Sequence, residues 1–221
     1  WAITLLQKRR ITNSMAERAH PENPGFKDRL FGLKKSHYKK KLHERYKFTN
    51  KFIKEKRVLD IPCGVGWGTS LLKGANFVLG IDISKEAIDY AKKHYENDNR
   101  KFYIGDMQFI PLEDNSIDVL ICLEGFEHVS KDIGIRFIEE SKRVLKGGGL
   151  LIITCPILNE NGETTGNPYH LSEYPEEELI KILNKNFRIL YLERTKGPDG
   201  PEYRAVVSNF KENRYIKKAT L

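Results

Sequence analysis

The sequence predicts an α/β fold: a doubly wound, mostly parallel sheet of seven strands with an N-terminal helical extension. Three observations carry this. From Arg57 onward, short apolar runs alternate with amphipathic stretches, the pattern of strands joined by crossover helices. The first run ends in a glycine-rich turn, Asp60-Ile61-Pro62-Cys63-Gly64-Val65-Gly66-Trp67-Gly68. The charge also changes sign along the chain. Residues 1–57 hold 17 Lys/Arg and 5 Asp/Glu, a net of +12, against +8 for all 221 residues, so residues 58–221 carry −4.

The elements follow in order. Residues 1–56 are expected to form a basic helical extension or lid, and 57–221 the sheet domain. Within the extension, Tyr38, Leu42, Tyr46, Thr49, Phe52 and Ile53 recur at helical spacing from about Ser36 to Lys56,. Val58–Ile61 is the first strand, and Gly68 to Lys73 opens a helix. Phe77–Ile81 is the second strand. A helix from Ser84 to Tyr95 follows, with Ser84 as N-cap and Ala87, Ile88 and Ala91 facing inward. Lys101–Ile104 and Ile117–Leu123 are the third and fourth strands. A helix over Ile133–Leu145 is expected to stop at Lys146-Gly147-Gly148-Gly149, a C-cap signal. Leu150–Cys155 is a buried fifth strand. Pro175–Asn184 is a helix with three Glu at its positive end. Phe187–Arg194 and Tyr203–Phe210 close the sheet.

Composition narrows the class. With 39% apolar and 31% charged residues the chain is neither disordered nor fibrous,. Cys63, Cys122 and Cys155 are too few and too scattered for a disulfide framework, which points to a reducing, cytoplasmic setting. The longest apolar stretch, 150–158, contains Thr154 and Pro156 and is about half a membrane span, so stable membrane insertion is not expected. The opening Trp1–Leu6 precedes its basic cluster, unlike a secretory signal. The basic extension suits an anionic substrate or partner, or is simply a solvated Lys-rich face. Nothing in the sequence indicates an oligomeric state.

The glycine turn is the most informative stretch. The dinucleotide fingerprint needs Gly or Ala three residues after Gly66, where this chain has Thr69. The spacing present is Asp-x-x-x-Gly-x-Gly-x-Gly. Here the sequence resembles the class I S-adenosylmethionine-dependent methyltransferases, and the resemblance extends over about residues 57–210. It implies a Rossmann-like methyltransferase fold and S-adenosylmethionine as cofactor, with S-adenosylhomocysteine as product. By resemblance Asp60 helps hold the cofactor's amino group, and Gly64, Gly66 and Gly68 let the backbone pass beside it. Pro62 and Cys63 differ from the commonest loop residues, and their neighbours supply the backbone contacts. Asp82, followed by Ile83, matches the acceptor of the ribose hydroxyls. Asp106 and Met107 match the positions facing adenine. Leu123 leads into Glu124-Gly125-Phe126-Glu127-His128, the segment beneath the sulfonium.

Methyl transfer to a hydroxyl or ammonium requires removal of a proton, a task that suits a neutral His. His128 follows the fourth strand. His170, in Asn167-Pro168-Tyr169-His170-Leu171-Ser172-Glu173-Tyr174, follows the fifth. That segment and the Glu-His pair resemble bacterial sugar- and polysaccharide-tailoring methyltransferases. Either His is a candidate base, with Glu124 a further candidate. Glu127, Tyr169 and Tyr174 are candidate substrate contacts. Asn167-Pro168-Tyr169 lies after the wrong strand for a DNA adenine methyltransferase signature. The sequence shows no clustered His/Asp/Glu set, so no metal is expected.

The reading is a methyltransferase acting on oxygen or nitrogen of a small molecule, such as a sugar or glycan precursor. Its rivals are an RNA methyltransferase using the basic extension and a non-catalytic S-adenosylmethionine-binding partner subunit. Calorimetry separates the cofactor classes: S-adenosylmethionine or its demethylated product binds, and NAD does not. Binding of NAD alone would overturn the cofactor assignment.

Overall fold

The computed structural model describes residues 35–196 and 201–210. Its order is α1 (Lys35–Thr49), β1 (Arg57–Asp60), β2 (Phe77–Asp82), α2 (Lys85–Tyr95), β3 (Arg100–Ile104), β4 (Ile117–Leu123), α3 (Lys131–Val144), β5 (Leu145–Pro156), α4 (Glu176–Asn186), β6 (Arg188–Lys196) and β7 (Pro201–Ser208). The seven strands form one sheet in the order β3-β2-β1-β4-β5-β7-β6. β1 to β5 pair in parallel, and β7 runs antiparallel between β5 and β6.

The apolar runs are continuous because both faces of the sheet are covered. Alternate residues divide between two cores. Leu59, Leu79, Leu120, Cys122, Leu151 and Ile153 pack with Phe137 and Ile138 of α3 and Leu179 and Leu183 of α4. Val58, Val78, Val119, Ile121 and Ile152 pack with Leu42, Tyr46 and Phe48 of α1. α2 sets Ile88 and Ala91 against Phe102 of β3. Ser84 caps α2 as expected, its side chain accepting from Ala87 N.

Three local expectations are corrected. The helix expected to reach Lys56 ends at Thr49. Asn50 then turns the chain away, donating from Nδ2 to Leu71 O and accepting from Lys73 N at Oδ1, both at 3.0 Å. Those same contacts claim backbone groups after β1, where the helix expected from Gly68 shrinks to one 3₁₀ turn, Thr69–Leu71. Residues 146–149 do not cap α3. They form a bulge at the entry to β5: Ile117 pairs with Leu145 and Val119 with Leu150, leaving these four residues opposite Asp118. Lys146 Nζ closes the bulge on Asp118 Oδ1 at 2.9 Å.

Part of the expected extension packs against a face of the sheet. Leu42, Tyr46, Phe48 and Ile53 are buried in the core that also holds Val58 and Val119. The boundary expected at 56/57 therefore falls inside a packed unit. Residues 1–34, the rest of the expected lid, lie outside the described residues. Arg45 anchors the helix. Its guanidinium is 2% exposed and meets Glu202 Oε2 at 2.6 Å and Glu124 Oε2 at 2.9 Å. Replacing Arg45 by Met keeps much of its volume and leaves two carboxylates facing each other. Urea unfolding of Arg45→Met should show a loss of about 3–5 kcal/mol, the cost of stranding a buried charge. A loss below 1 kcal/mol would mean that the network is dispensable.

Candidate active site

The C-terminal ends of β1, β2 and β4 bring the candidate residues together, as expected for a parallel sheet. After Asp60 the backbone stays tied to both neighbouring strands: Ile61 N donates to Ile121 O and Cys63 N to Ile81 O. Three glycines follow, and they serve different purposes. A side chain on Gly68 would put its Cβ 2.4 Å from the Tyr46 ring, and one on Gly66 would lie 2.7 Å from Ala91 Cβ. Those two are required by packing within the protein. Gly64 has φ +55° and open space where a Cβ would point. It alone of the three presents bare backbone to a ligand.

Asp60 is fully buried, and its Oδ2 accepts from Thr69 Oγ1 at 2.7 Å and Tyr46 Oη at 3.0 Å. Its Oδ1 is buried with no hydrogen-bond partner. Burial raises its pKa to about 7, against the two hydroxyl donors that lower it, with Asp82 adding repulsion. Asp82, 3% exposed, accepts from Gly64 N at Oδ2 and from Ser84 N at Oδ1, both at 2.9 Å. A carboxylate offers about four acceptor sites, more than these two bonds use. Gly105 N donates to Asp82 O, which sets the Asp106 turn beside the end of β2. Asp106 Oδ1 accepts from Gln108 N at 2.9 Å. Met107 is buried in the main core, and Leu123 in the second, so neither presents its side chain openly. The exposed apolar surface there belongs to Ile83, at 56%.

At the end of β4, Glu124 has φ +54°. Its Oε1 accepts from Thr154 Oγ1 at 2.8 Å, and Oε2 pairs with Arg45. Burial raises its pKa; Arg45 opposes the rise and Glu202 adds to it. Phe126–His128 forms a 3₁₀ turn. Glu127 O accepts from Leu171 N and Ser172 N, and Ser172 Oγ donates to Val129 O at 2.6 Å. These bonds fold residues 167–173 over the turn and bring His170 to His128, with ring centroids 5.1 Å apart and nearly perpendicular.

The two rings differ in their partners. His128 Nδ1 lies 3.2 Å from Tyr169 O, an atom that only accepts, so Nδ1 carries the hydrogen,. The neutral ring therefore has its lone pair on Nε2, which faces Glu127 Oε1 at 3.8 Å. His170 Nδ1 bonds Glu173 Oε1, and Asn167 Nδ2 approaches His170 Nε2 at 3.0 Å. Asn167 Oδ1 accepts from Tyr169 N, which fixes the orientation of that amide. Burial alone would raise Glu173, but hydrogen bonds from Thr165 and His170 outweigh it and hold the carboxyl below its usual range. His170 is thus engaged at both nitrogens, and its side chain is 6% exposed against 32% for His128. Tyr169 is half-buried. Tyr174 is 1% exposed and stacks on Phe126 at 5.0 Å, so it is core and does not wall a substrate pocket.

Sequence reasoning missed Arg45, Tyr46, Thr69 and Glu202, which hold the carboxylates from distant parts of the chain. It also expected no metal-type cluster. The fold makes one: ligand-capable atoms of Glu127, His128 and His170 lie within 4.8 Å of one another.

Residues 59–153 match the model of a family described as a methyltransferase domain. This segment is a class I S-adenosylmethionine-dependent methyltransferase domain. A "Probable S-adenosylmethionine-dependent methyltransferase" of Mycobacterium tuberculosis is 30% identical over 130 residues, 57% of this chain and 46% of that protein. A ubiquinone biosynthesis O-methyltransferase of Coxiella burnetii is 32% identical over 112 residues, 49% of this chain and 46% of that protein. The chain thus spans about half the length of the curated relatives it matches. Among solved structures, a methyltransferase from Methanosarcina mazei superposes with a TM-score of 0.64 at 22% identity, covering 75% of this chain and 98% of the other. The [4+2]-cyclase SpnF superposes at 0.65 and 19% identity, covering 79% and 80%. These two show the fold alone, and the second shows one fold serving another chemistry.

The cofactor of this methyltransferase family is S-adenosylmethionine, and the residues present fit it. Asp60 offers a buried carboxylate oxygen for an ammonium, Gly64 offers open backbone, and Asp82 retains acceptor capacity. With Asp60 titrating near 7, only its ionised form attracts an ammonium. Affinity for S-adenosylhomocysteine, measured by calorimetry, should hold above pH 7 and weaken about tenfold per unit below it. Asp60→Asn should bind more weakly with a flat profile. Stability moves the other way. The folded state binds this proton more tightly than the unfolded chain, so the contribution of Asp60 is lost as pH rises from about 4 to 7. Affinity of the native protein that is independent of pH would refute this role.

Proposed function

We propose that the protein transfers a methyl group from S-adenosylmethionine to an oxygen or nitrogen of a small molecule, a sugar or glycan precursor being the preferred class. The observation that carries this reading is the convergence at one sheet edge of two groups. Asp60, Gly64 and Asp82 form one, and Glu127, His128 and His170 form the other. Bound S-adenosylmethionine supplies an electrophilic methyl and leaves as S-adenosylhomocysteine. Asp60 binds and orients, and Asp82 fixes both the glycine loop and the ribose. His128 Nε2 takes the proton of the acceptor, and Glu127 steadies the imidazolium that results. His170, held by Glu173 and Asn167, orients the loop and packs edge-on against His128.

In support, the Coxiella burnetii relative is named for ubiquinone biosynthesis, and a Mycobacterium ulcerans relative is named a phthiotriol/phenolphthiotriol dimycocerosates methyltransferase. The second is 33% identical over 145 residues. The glycan preference rests on the resemblance of the Asn167–Tyr174 segment to sugar-tailoring enzymes.

The test is incubation of the protein with methyl-labelled cofactor and a metabolite extract, followed by mass spectrometry for a species heavier by about 14 Da plus the mass of the label. His128→Asn should lower kcat on that acceptor by about 10²–10⁴-fold while S-adenosylhomocysteine affinity stays within a few-fold. Near-full kcat in His128→Asn would remove the proton-acceptor role from that ring. Labelling confined to RNA would replace the small-molecule acceptor.

A further inference from the structure

Glu127, His128 and His170 hold their ligand-capable atoms within 4.8 Å of one another, and both loops that carry them are tied down. Glu127 O receives two backbone N–H groups from the His170 loop, at 2.8 and 3.1 Å. Each imidazole is oriented through Nδ1, by a backbone carbonyl in His128 and by the Glu173 carboxylate in His170. An imidazole that donates from Nδ1 presents its lone pair at Nε2. Such carbonyl and carboxylate partners are what orient and strengthen metal-bound histidines. Glu127 is 1% exposed. A dication shared with two imidazoles suits a carboxylate buried at that depth.

We propose that Glu127, His128 and His170 bind a divalent first-row transition cation. Two imidazoles and one carboxylate suit zinc, cobalt, manganese or ferrous ions, whereas magnesium and calcium prefer all-oxygen shells. Donors around such an ion sit about 2.0–2.2 Å from it. The side chains therefore close by about an ångström on loading, within reach of small χ rotations. Asn167 Nδ2, now 3.0 Å from His170 Nε2, is the group the cation displaces. Three protein ligands leave coordination positions open. Resting on the methyl-transfer reading, those positions take the oxygen of the acceptor. Coordination lowers the pKa of that oxygen, its proton passes to solvent water, and in the loaded site His128 serves as a ligand in place of its role as proton acceptor.

The test is titration of chelator-stripped full-length protein with Co²⁺ alone, followed by visible absorption and calorimetry. One Co²⁺ per chain is expected, displaced by Zn²⁺. Glu127→Gln and His128→Gln should each weaken binding by more than tenfold. Glu173→Gln, which alters the partner of His170 and of Thr165 but no proposed ligand, should weaken it about 10–100-fold. Circular dichroism of each variant confirms folding. No binding of Co²⁺ or Zn²⁺, or binding that Glu127→Gln and His128→Gln both leave unchanged, would overturn the proposal. That result would leave His128 as the proton acceptor with Glu127 beside it. S-adenosylhomocysteine binding is measured on the same stripped protein. Its absence alongside intact Co²⁺ binding would count against the methyltransferase reading while supporting the ion site.

Discussion

Arg45 is the contact on which the cofactor edge depends. One buried guanidinium nitrogen joins Glu202 of β7 to Glu124 at the end of β4. Desolvating three charges is costly, and only close hydrogen-bonded geometry offsets it. With Arg45 fixed, α1 cannot slide, so the next residue, Tyr46, reaches Asp60. The Tyr46 ring in turn occupies the space that any side chain at position 68 would need. The glycine pattern of the loop is thus partly a consequence of a helix that precedes the sheet.

The same edge gathers negative charge into low dielectric. Asp82, Asp60 and Glu124 stand at the ends of the neighbouring strands β2, β1 and β4, and Glu127 lies in the turn after β4. Their field reaches the thiols beneath: burial raises the pKa values of Cys122 and Cys155, and Glu127 and Glu124 raise both further. Those cysteines are inert as nucleophiles. A cationic sulfonium, an ammonium or a metal ion is what such an edge attracts.

The strands were legible because burial on both faces writes itself as uninterrupted apolar runs, as in Val119–Leu123. The Asp60–Gly68 loop was legible because its spacing is local. What escaped was decided at a distance. Asn50 shortened one helix and replaced another through bonds to Leu71 and Lys73. The glycines at 147–149 read as a helix stop, yet pairing with β4 made them a bulge. His170 reaches His128 only because residues 171 and 172 bond to Glu127 O, and no spacing rule announces that meeting. Tyr174 carries the composition of a binding residue but is bonded into the core by its neighbours.

The link between Arg45 and Glu202 spans 157 positions. A ribosome makes α1 before any strand and β7 after every other described element. The helix that shapes the glycine loop therefore waits, its guanidinium without Glu202, until β7 has emerged. Local pieces of the sheet can pair earlier, since neighbouring strands close shorter loops. The cofactor edge cannot reach its final form until the two ends of the described chain meet. Synthesis through β7 is thereby built into the site as a condition for its assembly.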